Sequence, residues 1–158
     1  KLDSNYFAAD TLIGLYGEWL RNFPIIYLED GLAENQWDDW QKLTKELGDK
    51  MMIVGDDLFT TNITRLRLGL KNKIANSIII KPNQIGTLSE TAECLKLAQK
   101  HNYKIIISHR SGETNDDFIA DLAVAAGADF IKTGSLSRGE RLAKYNRLME
   151  IERELGLK

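Results

Sequence analysis

Only one cysteine, Cys94, stands among the 158 residues, so no disulfide can close within the chain and a reducing, cytoplasmic setting is the expectation. It falls inside a helical pattern, where a lone thiol serves as a small buried hydrophobe. Apolar runs stop at about five residues, far short of the roughly 20 that cross a bilayer, so no membrane segment is expected. Lys1 to Asn5 lead into a mixed helical stretch and not into a signal peptide. Neither charge sign dominates: 21 Lys and Arg stand against 23 Asp and Glu, which leaves −2 and no basic excess to attract nucleic acid. No Pro- or Ser-rich linker, low-complexity tract or charge block divides the chain. Zinc-type Cys/His spacings, a P-loop and a G-x-G-x-x-G fingerprint are missing too. At 43% hydrophobic and 28% charged the sequence is that of an ordinary globular chain, and its length suits one domain.

What the sequence has is a rhythm. Short runs rich in β-branched residues recur at Ile25-Ile26-Tyr27-Leu28, Met51-Met52-Ile53-Val54, Ser77-Ile78-Ile79-Ile80, Lys104-Ile105-Ile106-Ile107 and Phe130-Ile131. They do not alternate with polar residues, as expected of strands buried on both faces of a parallel sheet. Amphipathic stretches separate them. Thr87-Leu88-Ser89-Glu90 and Ser137-Arg138-Gly139-Glu140 fit the capping box that opens a helix. Gly48, Gly127 and Gly156 fall where a left-handed glycine closes one. Leu142, Tyr145 and Met149 continue at helical spacing in the last segment. Alternating strand and helix predicts an α/β fold with parallel pairing and right-handed crossovers. An open doubly wound sheet and a (β/α)8 barrel both satisfy the pattern.

The strand ends carry the chemistry. The first run leads into Glu29-Asp30, the second into Gly55-Asp56-Asp57 and the third into Lys81. The fourth reaches Ser108-His109-Arg110-Ser111 and the last Lys132, one such end every 23 to 28 residues. A single polar strand end merely marks an exit to solvent. Five in succession, supplying two acids, two lysines, a histidine and an arginine, exceed that account. In a parallel barrel all carboxyl ends open on one face, so these side chains would converge there. Glu29 and Asp56 are hard oxygen donors suited to Mg²⁺. Successive side chains alternate faces, so of Asp56 and Asp57 one is a ligand candidate and the other is expected to pair with a base. Lys81, Arg110 and Lys132 would ring an anion, and a lysine crowded by cations makes a usable general base. Ser111, Gly112 and Thr133-Gly134-Ser135 place small residues after the last two strands, where barrels often hold phosphate. His101 reads as a solvated helix end, and Trp19, Trp37 and Trp40 as packing residues.

These residues together resemble the C-terminal barrel portion of the enolase family. Ile26-Tyr27-Leu28-Glu29-Asp30 with Glu34-Asn35-Gln36-Trp37 is similar to its acidic metal strand. Gly55-Asp56-Asp57-Leu58 with Thr61-Asn62 is similar to the next. Lys81-Pro82-Asn83-Gln84-Ile85-Gly86-Thr87, Ser108-His109-Arg110-Ser111-Gly112-Glu113-Thr114 and Ile131-Lys132-Thr133-Gly134 followed by Glu140-Arg141 complete the match, which runs from about Phe23 to Leu155. Gly31 and Pro82 depart from the pattern without touching a catalytic side chain.

The resemblance implies Mg²⁺-dependent, reversible dehydration of 2-phosphoglycerate to phosphoenolpyruvate in glycolysis and gluconeogenesis, with two Mg²⁺ per site. It implies Lys81 as the base that removes the C2 proton, and Glu29 and Asp56 as ligands of the tight Mg²⁺. It further implies Ser111 at substrate and second metal, Arg110 at the phosphate, Lys132 at the substrate carboxylate, and His109 lining the pocket. A homodimer follows from it, as do secondary complex-associated or surface roles with a matching cell-surface or secreted location. A full barrel takes ~250 residues, so the expectation is the last five strands of the barrel over residues 1–158. The N-terminal domain, the first barrel strands, the acid catalyst and a third carboxylate ligand would then lie upstream of Lys1. A Schiff-base aldolase using Lys81 or Lys132, and a purely binding role, are the competing readings.

Overall fold

Ser77-Ile78-Ile79-Ile80 has almost no polar surface to turn to water, and the strand it forms, β3 (Ser77–Ile80), is buried at all four positions. A computed structural model describes residues 7–156; the Lys1 to Asn5 lead-in lies outside them. β3 is flanked by β2 (Met52–Gly55) and β4 (Lys104–Ser108), with β1 (Tyr27–Glu29) and β5 (Phe130–Lys132) outermost. Every pairing is parallel, and the order in the sheet is the order in the chain. A doubly wound sheet reverses its strand order at a switch point, whereas a barrel adds each strand beside the last. Sequential order therefore decides between the two architectures, and the described residues form half of a (β/α) barrel.

Helices α1 (Ala9–Asn22), α2 (Trp37–Leu47), α3 (Ile63–Asn72), α5 (Leu88–Lys100), α6 (Phe118–Ala125) and α7 (Gly139–Glu154) alternate with the strands, and a single turn, α4 (Pro82–Ile85), follows β3. None is long and apolar enough to cross a membrane. Pro82 opens α4 at a position whose N–H has no partner in any helix, so its ring costs nothing there. Asn62 caps α3 by accepting from the N–H groups of Thr64 and Arg65. Thr87 caps α5 by accepting from Glu90 N–H at 3.2 Å, while its hydroxyl donates to the Glu90 carboxylate at 2.6 Å.

The second expected capping box does not form. Arg138 takes the cap position of α7, which leaves Ser137 one residue too early, and its hydroxyl pairs with that of Ser135 at 2.7 Å. Gly127 and Gly156 are left-handed as expected, but Gly48 is not, because the chain continues in right-handed turns through Lys50. Glycine at position 48 answers a steric need: a Cβ there would stand 2.5 Å from the Thr44 carbonyl oxygen.

The two faces of the sheet are separate cores. Ile53, Ile78, Ile80, Ile105 and Ile107 pack outward against Trp40, Leu43, Leu66 and Cys94 of the helices. Val54, Ile79 and Ile106 form a smaller inner cluster with Tyr27 and Met52. Each fully buried aliphatic side chain contributes about 1.5–3 kcal/mol. Trp40 is buried and donates its indole N–H to the Ala33 carbonyl at 3.0 Å, while Trp19 and Trp37 are half-buried, with the Arg65 guanidinium 5.2 Å from the Trp37 ring centroid. The last helix departs from its apolar pattern. Leu142 and Met149 are exposed, and the buried positions are Arg141, Lys144 and Ile151.

Candidate active site

Side chains alternate faces along a strand, so the inner cluster sets the parity of everything beyond it. Two residues past Val54, Ile79 and Ile106 come Asp56, Lys81 and Ser108; in the outer strands Glu29 follows Tyr27 and Lys132 follows Phe130 by the same step. Glu29, Asp56, Lys81, Ser108 and Lys132 thus share the inner parity at the carboxyl end of the sheet.

There they meet in two ion pairs. Lys81 Nζ lies 2.5 Å from Asp56 Oδ2, with both side chains nearly buried. Lys132 Nζ donates to both oxygens of Glu29, at 2.7 and 2.9 Å, and the Tyr27 hydroxyl donates to one of them at 2.7 Å. Burial pushes the Glu29 carboxyl up, but hydrogen bonds from Lys132 and Tyr27 outweigh it and hold the group below the usual carboxylate range. The Tyr27 phenol is pushed up, first by burial and then by its bond to Glu29. Of the two adjacent aspartates, Asp56 is the one paired with a base; Asp57 is exposed and has no ion pair among the described residues, so the expected pairing of the second aspartate is not seen there.

The acids fit a divalent cation. Asp56 Oδ1 is buried without a hydrogen-bond partner among the described residues, an orphan oxygen that a cation would satisfy. Asp30, Asp56 and Asp57 bring carboxylate oxygens within 4.8 Å of one another. Asp30 has both oxygens engaged by the N–H groups of Asp56 and Asp57, at 2.9 Å each, and sits at φ 42° to reach them. Its carboxyl is raised above the usual range, because burial and the two neighbouring aspartates outweigh those hydrogen bonds. Asp30 thus serves to orient the turn that bears Asp56. Glu29 is not in that group, its oxygens being held by Lys132 and Tyr27, but the Asp56 carboxyl lies beside it.

A cavity of about 320 Å³ opens above the pairs. Lys81, His109, Arg110, Ser111 and Lys132 line it, joined by Ser108, Gln84 and Asp57. Lys81 is anchored at its backbone, where its N–H donates to Thr61 Oγ1 at 2.8 Å; Thr61 in turn donates to Gln84 Oε1 at 3.0 Å. His109 is half-buried, with Nδ1 lacking a partner among the described residues, and burial followed by the charge of Arg141 holds its pKa below the usual histidine value. Arg110 and Ser111 stand exposed on the loop after β4. His101 ends α5 in solvent, as expected. Tyr27, Asp30, Gln84 and Ser108 were not singled out for roles from the sequence. Counting back by two from Glu29 would have found Tyr27, and counting on by two from Ile106 would have found Ser108.

Acids and lysines at the carboxyl ends of sequentially ordered parallel strands, opening on one polar cavity, define a (β/α)-barrel site face. The family model for the enolase C-terminal TIM barrel domain matches residues 1–158, and the chain belongs to that family. Among similar proteins is an enolase of Sulfurimonas denitrificans, 57% identical over 157 residues, which cover 98% of this chain and 37% of that protein. An enolase of Helicobacter acinonychis is 54% identical over 155 residues, 98% of this chain and 36% of the relative. The chain thus spans a little over a third of the length of the curated relatives it matches.

Proposed function

We propose that this chain supplies the base, the anion-binding groups and two metal carboxylates of an enzyme that reversibly dehydrates 2-phosphoglycerate to phosphoenolpyruvate. The observation that carries the reading is the shared inner parity of Glu29, Asp56, Lys81 and Lys132 beside a cavity lined by Arg110 and Ser111. Identity of 54–57% to relatives named enolase supports it.

A proton beside an ionised carboxylate is very weakly acidic, so its removal needs a positioned base and concentrated positive charge. Lys81 Nζ accepts the C2 proton. Lys132 holds the substrate carboxylate, Arg110 holds the phosphate, Ser111 contacts the substrate and would face the second Mg²⁺, and His109 closes the wall. Glu29 and Asp56 would be ligands of the tighter of the family's two Mg²⁺ ions, which would supply positive charge beside the reacting carboxylate. The groups packed beneath the cavity, Val54, Ile79 and Ile106, exclude water from below. A cytoplasmic homodimer belongs to the same reading.

The test is a full-length enolase carrying these residues. It should convert 2-phosphoglycerate to phosphoenolpyruvate only with Mg²⁺ present, and borohydride should trap no lysine adduct with a carbonyl substrate. A covalent adduct at Lys81 or Lys132 would replace this reading with a Schiff-base aldolase.

A further inference from the structure

One face of α7 reaches into the loop after β4, which lines the cavity, and into the loop after β5. Lys144 has no exposed surface, yet it is a charged side chain in the position where a helix would ordinarily bury a leucine. Its three donors are all used: Nζ lies 2.7 Å from Glu113 Oε2, 2.6 Å from the Thr114 carbonyl oxygen and 2.8 Å from that of Glu140. The other oxygen of Glu113 accepts the Arg110 N–H at 2.9 Å. Arg141, one turn earlier and 9% exposed, donates to the carbonyls of Arg110 and Ser111 at 3.1 and 3.4 Å. Tyr145 donates its hydroxyl to the Gly134 carbonyl after β5. Gly134 is at φ +80°, and a Cβ there would stand 3.0 Å from Arg141 Cδ.

A buried ion pair rarely stabilises more than apolar residues of the same volume, so packing does not account for Lys144. What this pair does, and a leucine could not, is bind loop backbone. The loop contains Gly112, whose Cβ position is open space, so no side chain packs at that point of it. Two of its exposed residues, Arg110 and Ser111, are assigned above to the phosphate and to the substrate.

We propose that Lys144 and Arg141 are positioning residues, which act through Glu113 and the carbonyls of Arg110, Ser111 and Thr114 to hold the loop after β4 in the shape that presents Arg110 and Ser111 to an anion. The inference rests on the function proposed above for the identity of that anion as the substrate phosphate. The Glu113 carboxyl is pushed up by burial but held below the usual range by the bonds from Lys144 and the Arg110 N–H, so it carries its charge at neutral pH.

Glu113→Gln, Lys144→Met and the double variant in a full-length enolase carrying these residues test it. The probes are inorganic phosphate, followed by phosphorus NMR, and 2-phosphoglycerate turnover, with urea midpoints read alongside. In folded Glu113→Gln both the phosphate Kd and the KM should rise roughly tenfold or more, with kcat falling by a smaller factor, as misplacing a binding group would produce. The double variant leaves no unpaired buried charge, so it should regain stability over Lys144→Met or Glu113→Gln while phosphate binding stays weak. Recovery of phosphate affinity together with stability would reduce the pair to a structural role. Parent-like Kd and KM in a folded single variant would overturn the proposal. A parent that binds phosphate without turning over 2-phosphoglycerate would sink the proposed reaction, and phosphate Kd alone would then decide the positioning role. A parent that binds no phosphate would overturn the proposal as well.

Discussion

Lys132, on the last strand of the sheet, donates to both carboxylate oxygens of Glu29 on the first, across 103 positions of sequence. In a flat sheet of five strands, at a spacing of ~4.8 Å, these strands would lie about 19 Å apart, further than the two side chains can span. The contact exists because the sheet is curved as a barrel wall. That curvature also brings Lys81 and Lys132 into the lining of one cavity.

Lys81 and Asp56 form the tighter of the two pairs, which yields a prediction for the base. Lys81→Ala in a full-length enolase should abolish exchange of the C2 proton while Mg²⁺ binding is kept or strengthened, since the substitution frees an oxygen of Asp56. Proton exchange at a rate comparable to the parent's would reject Lys81 as the base.

Glu29→Gln and Asp56→Asn each remove a carboxylate charge from the proposed metal site. Both should raise the Mg²⁺ concentration that supports half-maximal turnover, with Asp56→Asn the more severe because its second oxygen is buried without a partner among the described residues. An unchanged Mg²⁺ dependence in both variants would remove these residues from the metal site.

The Glu113–Lys144 pair makes stability depend on pH in a definite direction. The folded carboxyl lies below its unfolded value of about 4.3, so its contribution is present above that pH and is lost as pH falls through the lower, folded value. Urea midpoints of the parent and of Glu113→Gln should therefore differ at neutral pH and converge as the pH drops below about 4. A gap that widens on acidification would contradict the sign.

Cys94 is completely buried and its thiol is pushed up to about 12 by that burial. At pH near 8 a thiol-specific reagent should label the folded protein far more slowly than the urea-unfolded one, because thiolate and access are both missing. Equal labelling rates would place Cys94 outside the outer core.

A polypeptide of these 158 residues alone exposes apolar groups along its two outer strands and their flanks: Phe23, Ile26, Phe130 and Leu136 are 46–68% accessible. Unpaired strand edges with apolar flanks associate. The isolated chain should aggregate and lack dehydratase activity, as scattering and phosphoenolpyruvate formation would register. A soluble monomer that turns over 2-phosphoglycerate would refute this.

Much of this arrangement was legible residue by residue. The runs at Ile78-Ile79-Ile80 and Ile105-Ile106-Ile107 announce doubly buried strands because no residue in them could face water. Period-two alternation from those runs then tells which strand-end groups share a face. Thr87 and Asn62 work as caps through bonds spanning two or three residues, the range over which sequence acts directly. The box at Ser137 fails for the same reason in reverse: a shift of one residue at the helix start, set by how α7 docks, removes the hydroxyl from reach.

By itself, then, the sequence determined the strands, their parallel alternation with helices, and the list of acids and bases at their carboxyl ends, since all of these follow from local hydrophobic runs and side-chain chemistry. The tertiary structure alone decided that the sheet curls, so that Glu29 meets Lys132, that Asp56 and not Asp57 takes the lysine, and that α7 turns Arg141 and Lys144 inward while Leu142 faces out. These outcomes depend on contacts between residues some 25 to 103 positions apart. No local pattern encodes such contacts, because their geometry exists only once helices have packed on the sheet and bent it.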